Sequence, residues 1–537
     1  MARFSYAPLF PLKRDAAKYR KIAGGRVRTL KAAGRGFLRV EPESLSLLAE
    51  EAFTDAAFFL RTRQLEGLAA ILDDPGASEN DRFVAAALLR NAAVAAEGEL
   101  PLCQDTGTAN IIAHKGEGVL TGADDARFLS RGVFEAYRKR NLRYSQVVPL
   151  GMLDEENTGT NLPAQIDIYA EPGAEYKFLF VAKGGGSSNK TALFQENKSL
   201  LLSDRTLLDF LAEKIKAIGV AACPPYRLAV VIGGTSPEST LKAVKLASAG
   251  DLDNLATAPS AKGQAYRDLE WEKKILALAR KNGLGAQFTG KHFALEARVV
   301  RMPRHAASLP VGIGVSCNAD RNILGKITRD GVFLEKLDRD PGRFLAKLEG
   351  RDFGPAVMVD LDRPIDEVVA TLSACPVGTR LSLSGTLVVA RDIAHARLKK
   401  MLDEGRPLPA YFREHPVYYA GPAKAPRGRP SGSIGPTTAQ RMDGYIAEFM
   451  SKGASRVTLA KGGRAAVVLD ACRRYNGFYL GTIGGAAALV ADKHITASEV
   501  IDFEDLGMEA VRKVRVASLP AFIVYDNKGN SLYGPIH

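Results

Sequence analysis

Apolar positions between residues 44 and 98 recur at helical spacing. Leu45, Leu47, Leu48, Phe53, Phe58, Phe59 and Leu60 make a broad stripe, and Pro75-Gly76 interrupts it. The pattern predicts a helical hairpin or small bundle. Ser78 and Asp81 have the spacing of a capping box ahead of an alanine-rich run to Ala96. A loop over Leu100–Thr108 carries Cys103, and a further helix is expected near 123–140. From 164 the pattern changes to short apolar runs between glycine turns. Ile166–Ala170, Phe178–Ala182, Leu228–Ile232 and Leu295–Met302 read as strands, with helices near 204–218 and 266–282. Charge, Gly and Pro gather over Arg339–Pro364, the best candidate for a domain boundary. Beyond it, Thr379–Val389, Arg456–Leu459 and Phe478–Leu480 read as strands and 392–404 and 437–451 as helices. The fold class is therefore α+β or α/β in more than one domain. Tyr418–Gly435, rich in Gly and Pro, is a long loop and a functional suspect.

A chain of 537 residues is too long for one core. Its 46% hydrophobic and 25% charged residues exclude a largely disordered or fibrous protein. The longest apolar stretches, such as Leu228–Ile232 and Ala486–Ala491, fall short of the about 18 residues a membrane helix needs. The net charge of +13 admits nucleic acid, an anionic membrane or a small anionic substrate as partner. No basic run beyond the N-terminus is dense enough to form an arm, so what matters is whether a few arginines converge on one pocket. The first forty residues hold eleven Lys or Arg against Asp15 alone, a bias found in transit peptides. Phe4–Leu12, aromatic and proline-rich, reads instead as an extended arm packed on a folded body. No secretory core is visible, and the cytoplasm is the default location.

Five widely spaced cysteines, with no CxxC and no HExxH, argue against a disulfide framework or a structural zinc site. Cys103, Cys223 and Cys317 lie in Gly- or Pro-bearing loops that can present a sulfur. Cys375 and Cys472 sit beside apolar helical residues and read as small buried hydrophobes. Lys183–Thr191 follows a strand and nearly matches a phosphate-binding loop, but Asn189 stands where the final glycine belongs. A backbone nest for an anion such as a carboxylate and a tight structural turn are the other readings. Gly233–Glu238 also follows a strand, with Pro237 suited to a first helical position. Arg143, Arg391 and Arg441 fall near element junctions, and a planar fork suits carboxylates. Each taken singly also fits a surface arginine.

These stretches together resemble the class I, iron–sulfur fumarate hydratases. The matching segments are Leu100–Ala109, Asn141–Ser145, Asn157–Asp167, Ala182–Ser187, Val231–Ser236 and Gly314–Ile323, then Ala390–Ala396, Gly435–Asp443 and Phe478–Gly485. The match begins at Ala7–Lys13, which implies that the basic N-terminus belongs to the fold rather than to a transit peptide. The resemblance implies two domains: residues 1–347 binding a cluster, and 348–537 forming an α/β swivelling domain that closes the active site. It implies a 4Fe-4S cluster held by Cys103, Cys223 and Cys317, with one open iron acting as Lewis acid in the reversible hydration of fumarate to (S)-malate. Thr437 would handle the carbon-bound proton and Asp105 the hydroxyl proton. Gln104, Arg143, Gly186, Lys190, Thr191, Gln195, His305, Arg391, Arg441 and Lys461 would contact substrate. The same resemblance implies a cytoplasmic homodimer that binds a small dicarboxylate and neither nucleic acid nor membrane. The rivals are a sister hydro-lyase acting on tartrate or mesaconate, and an iron–sulfur sensor that binds RNA. The sensor would need a contiguous basic or aromatic surface, which the sequence lacks.

Overall fold

The computed structural model describes residues 4–12, 15–32 and 34–534. Three helices, Glu43–Phe58, Thr62–Asp73 and Glu79–Ala95, fill the stretch expected to form a small bundle. The capping box forms: Ser78 Oγ accepts from Asp81 N–H while the Asp81 side chain accepts from Ser78 N–H. The same carboxylate accepts from Ala286 N–H at 2.7 Å and Lys291 N–H at 2.9 Å. One buried aspartate therefore starts a helix and fixes a distant loop.

Two larger sheets follow. The first has six strands, ordered Tyr19–Ala23, Gly331–Glu335, Asn322–Thr328, Tyr176–Lys183, Thr108–Gly116 and Gln165–Glu171. All its pairings are antiparallel except the last, and Glu43–Phe58 packs its buried face on it. The second has five, ordered Ala192–Glu196, Leu309–Ser316, Tyr226–Gly234, Ala294–Arg304 and Tyr266–Arg267. Helix Pro237–Ala249 lies so close to Leu309–Ser316 that a Cβ at Gly312 would stand 2.6 Å from Val244 Cγ2, and one at Gly314 2.5 Å from Val244 Cγ1. Glycine is required there because nothing larger fits.

The third sheet has seven strands, all between Val357 and Tyr525. Arg380–Val389, Val417–Tyr418, Val457–Ala460 and Phe478–Thr482 run parallel, and Val511–Tyr525 pairs antiparallel with both Phe478–Thr482 and Arg380–Val389. The pairings thus close a ring. Among the described residues no strand is shared between this sheet and the others. Side chains join them instead: a single core cluster runs from Leu68, Val84 and Leu88 to Leu381, Leu480 and Phe522. Of the N-terminal arm, Leu9 and Phe10 pack on the body, Leu9 O accepting from Ala265 N–H at 2.8 Å, while Phe4 and Tyr6 stand exposed. No helix among the described residues is long and apolar enough to cross a membrane.

Candidate active site

The three loop cysteines arrive from different elements. Cys103 lies between helix Glu79–Ala95 and strand Thr108–Gly116, Cys223 between Asp204–Ile218 and Tyr226–Gly234, and Cys317 just past Leu309–Ser316. None is in a disulfide; Cys103 and Cys223 are buried and Cys317 is half-buried. Cys472 is buried as expected, while Cys375 sits half-buried beyond helix Ile365–Ser373.

The Cys103 loop is held on every side. Asn91 Nδ2 donates to Leu102 O at 3.0 Å and its Oδ1 accepts from Leu489 N–H at 3.0 Å. Gln104 Nε2 donates to Pro436 O at 3.1 Å, and Ser433 Oγ donates to Pro101 O at 2.6 Å. The Tyr418–Gly435 segment is accordingly not a surface loop: much of it is buried and it clasps the cysteine loop. At Cys223, Lys461 Nζ donates to the sulfur at 2.8 Å, and Gly484 leaves no room for a side chain, since a Cβ there would lie 2.4 Å from Sγ. Gln287 and Asn318 both donate to Pro224 O and Gly484 O, locking this loop to the third sheet.

Asp105 meets the Lys183–Thr191 motif at Gly185. Its Oδ2 accepts from Gly185 N–H at 2.8 Å, its Oδ1 from Gly107 N–H at 3.1 Å, and Arg143 stands 3.4 Å away. Residues Gly185–Ser188 form a single helical turn. Of this motif, one backbone N–H, that of Gly185, donates to an anion, the Asp105 carboxylate. Burial would raise Asp105, but Arg143, Arg321, Gly185 N–H and Lys461 outweigh it and hold the carboxyl below the usual range.

Thr437 and Lys461 pair through the backbone, Lys461 N–H donating to Thr437 O at 3.1 Å. Arg441 donates to Thr437 Oγ1 and pairs with Asp392 at 3.2 Å. The following 3-10 turn, Ala439–Met442, does not use Thr437 as its cap. Arg391 is buried, pairs with Glu509 at 3.0 Å, and leaves Nε buried without a partner. Arg143, also buried, has Asp105, Arg391 and Glu509 as charged neighbours, with the Cys103 sulfur nearby. Expected residues therefore gather in two linked groups, Cys223, Lys461, Thr437 and Arg441 in one and Arg143, Asp105 and Cys103 in the other, with Arg391 a charged neighbour of Arg143 and Lys461 a charged neighbour of Asp105. Gly186 borders the first, a Cβ there lying 3.8 Å from Lys461 Nζ.

Four expected residues are held differently. Gln195 Oε1 accepts from Ser308 Oγ at 3.4 Å, and His305 Nδ1 accepts from Ala307 N–H at 3.2 Å, both on an exposed rim. Thr191 Oγ1 contacts Ser187 O at 3.5 Å, and burial lowers the Lys190 ammonium from its ordinary value. Two cations escaped the sequence reading. Arg321 is buried and donates to Asp105 O at 2.5 Å. Lys183, pushed down to about 8 by burial, donates to Val315 O at 2.6 Å behind Cys317. The position of Arg321 inside Gly314–Ile323 was the available signal.

The donor set fits an iron–sulfur cluster. Burial raises the Cys103 thiol and pushes Cys223 up to about 11. Thiolates there need compensating positive charge, and Lys461 and Arg321 supply it. For Lys461, burial works against the charged form, but Cys223 and Cys103 more than restore it. No group of three His, Cys, Asp or Glu among the described residues has the closer geometry of a single-ion site.

A family model described as Fumarate hydratase (Fumerase) matches residues 46–326, and one described as Fumarase C-terminus matches 331–536. The chain is 54% identical over 534 residues to "Fumarate hydratase class I, aerobic" of Escherichia coli strain K12, covering 99% of this chain and 97% of that one. It is equally similar to "Fumarate hydratase class I, anaerobic" of the same strain, 54% over 534 residues with the same coverage. To "Fumarate hydratase 1, mitochondrial" of Leishmania major it is 53% identical over 540 residues, covering 99% and 98%.

Proposed function

The chain belongs to the class I fumarate hydratase family, and from that premise we propose that it interconverts fumarate and (S)-malate at a 4Fe-4S cluster held by Cys103, Cys223 and Cys317. The observation that carries this reading is the convergence of three free thiols from separate loops beside Lys461 and Arg321. When bound, the cluster would supply an iron without a protein ligand, a Lewis acid for the hydroxyl that hydration adds.

The chain's own residues do the rest. Fumarate is a dianion, and Arg143, Arg391, Arg441 and Lys461 offer forks and a point charge for its two carboxylates. The unpartnered Arg391 Nε is a donor ready for one of them. Hydration places OH on one carbon and H on the other. Asp105, held ionised by its cations, takes the proton that water loses as its oxygen joins carbon. Thr437 Oγ1 delivers a proton to the other carbon. Arg441 donates to that oxygen, which stabilises the negative charge left there and makes a weak acid serviceable. Exchange with solvent returns the proton from Asp105 to the Thr437 side. Gln104, Gly186, Lys190 and Thr191 orient the substrate, with Gln195 and His305 at the rim.

We propose residues 1–347 as the cluster-bearing domain and 348–537 as the swivelling domain, in a cytoplasmic homodimer. A sister activity on mesaconate or tartrate is the alternative substrate reading. Anaerobic loading with iron and sulfide, followed by kcat/KM for fumarate, mesaconate and tartrate, tests all of this. Fumarate should lead, and cluster-free protein should be inactive. A higher value for another diacid would transfer the assignment, and full turnover without iron would end it.

A further inference from the structure

We propose that Arg464 and Asp443 are positioning residues: their buried ion pair locks the Lys461 loop to the turn that carries Arg441, so that the two cations beside Thr437 keep one spacing. The inference rests on the reading of Thr437, Arg441 and Lys461 as substrate residues. Asp443 lies two residues beyond Arg441 and opens helix Asp443–Ser451. Arg464 lies three residues beyond Lys461, in the loop that leaves strand Val457–Ala460. Arg464 Nε donates to Asp443 Oδ1 at 2.7 Å, and Ala465 N–H donates to Oδ2 at 2.8 Å. One carboxylate thus holds both a side chain and the main chain of the Lys461 loop. From the other side, Tyr525 OH accepts from Arg464 N–H at 3.0 Å and donates to Arg464 O at 2.7 Å.

The near ends of the two segments are joined as well. Lys461 N–H donates to Thr437 O at 3.1 Å, and Ala439 N–H donates to Lys461 O at 3.0 Å. The ion pair therefore closes a ring that runs from Thr437 through Arg441, Asp443 and Arg464 to Lys461 and back. Only Gly462 and Gly463 stand between Lys461 and Arg464. Glycines leave the backbone free, so the course of this loop has to be fixed from outside it. Tyr479 OH, donating to Gly462 O at 2.7 Å, and the ion pair do so. Stability alone does not call for such a pair. The Arg464 side chain is fully buried, its guanidinium 5.3 Å from the Tyr419 ring centroid and 5.4 Å from that of Tyr479. Desolvating two charges offsets most of their attraction, and apolar packing of the same volume often holds a core as well. What apolar packing does not supply is the fixed direction of a fork on a carboxylate.

The test measures kcat, KM and iron per chain in holoenzymes loaded without oxygen, for the parent, Asp443→Asn, Arg441→Lys and the two changes together. Asp443→Asn should lower kcat roughly 10–100-fold at parental iron content, the scale of a misplacement of about 1 Å, with KM within a few-fold. Because Asp443 acts through Arg441, the double variant should lose much less than the product of the two single losses. A pair that serves stability alone would lower the unfolding temperature and leave kcat of the loaded chain at the parental value, which overturns the proposal. Single losses that simply multiply overturn it too. Should Asp443→Asn fail to fold or load, Tyr525→Phe decides, since it removes only the hydroxyl that holds the Arg464 main chain. A kcat lowered roughly 2–10-fold then supports the proposal, and parental kcat overturns it. A loaded parent that turns over no diacid removes the substrate reading and the proposal together, whereas an active parent with unmoved variants removes the proposal alone.

Discussion

The residues between Cys223 and Cys103, buried or half-buried except for Arg441, and the exposed rim at Gln195 and His305 were both expected to meet substrate, yet they are built differently. Among the former nearly every polar group has a second partner: Gln104 on Pro436, Lys461 on Cys223, Arg441 on Thr437 and Asp392, and Asp105 on Gly185 and Arg143. At the rim, Gln195 accepts from Ser308 at the head of the neighbouring strand, and His305 accepts from Ala307 in its own turn. A preorganised site holds its groups where charge develops, whereas a rim group contributes one replaceable hydrogen bond. The two regions should therefore respond to mutation on different scales.

Cys317→Ser should have the largest effect, removing cluster absorbance and turnover together while leaving the circular dichroism of the chain unchanged. Retention of either would take Cys317 out of the ligand set. Next comes Gly484→Ala, which touches no substrate but crowds Cys223 Sγ. It should lower cluster content and turnover in proportion, roughly 10–100-fold, as disturbed ligand surroundings do. Parental iron content would show that the loop yields. Arg441→Lys should keep the cluster and lower kcat by about tenfold or more, since a point charge cannot hold Thr437 and a carboxylate together. Unchanged kinetics would remove Arg441 from the site. The smallest effect belongs to His305→Asn: KM rises roughly 2–10-fold, one ordinary hydrogen bond, with kcat and cluster intact. A kcat loss as large as that of Arg441→Lys would erase the distinction between the two regions.

What the sequence made legible follows the same division. Local chemistry read true: the Ser78 and Asp81 capping box forms, and Pro237 sits at the head of helix Pro237–Ala249 after the Gly233-Gly234 turn. Strand Thr108–Gly116 was missed because it is buried on both faces and so shows no alternation. Leu309–Ser316 was missed because Pro310, Gly312 and Gly314 look like a loop, although the glycines answer a helix packed overhead. The partner that Gly185 N–H finds, Asp105, lies eighty positions earlier in the chain, beyond the reach of any local pattern. Arg321 is one arginine among many until burial selects it. Resemblance singled out these residues motif by motif, and long-range packing supplies the contacts between them.

Cluster-dependent hydration of fumarate is the central claim, and one assay meets it directly. The protein is purified without oxygen, fumarate is added, and its ultraviolet absorbance is followed before and after brief exposure to air. Fast loss of fumarate that air abolishes, and that iron and sulfide restore, is the predicted result. Turnover that survives both air and removal of the cluster would contradict the account.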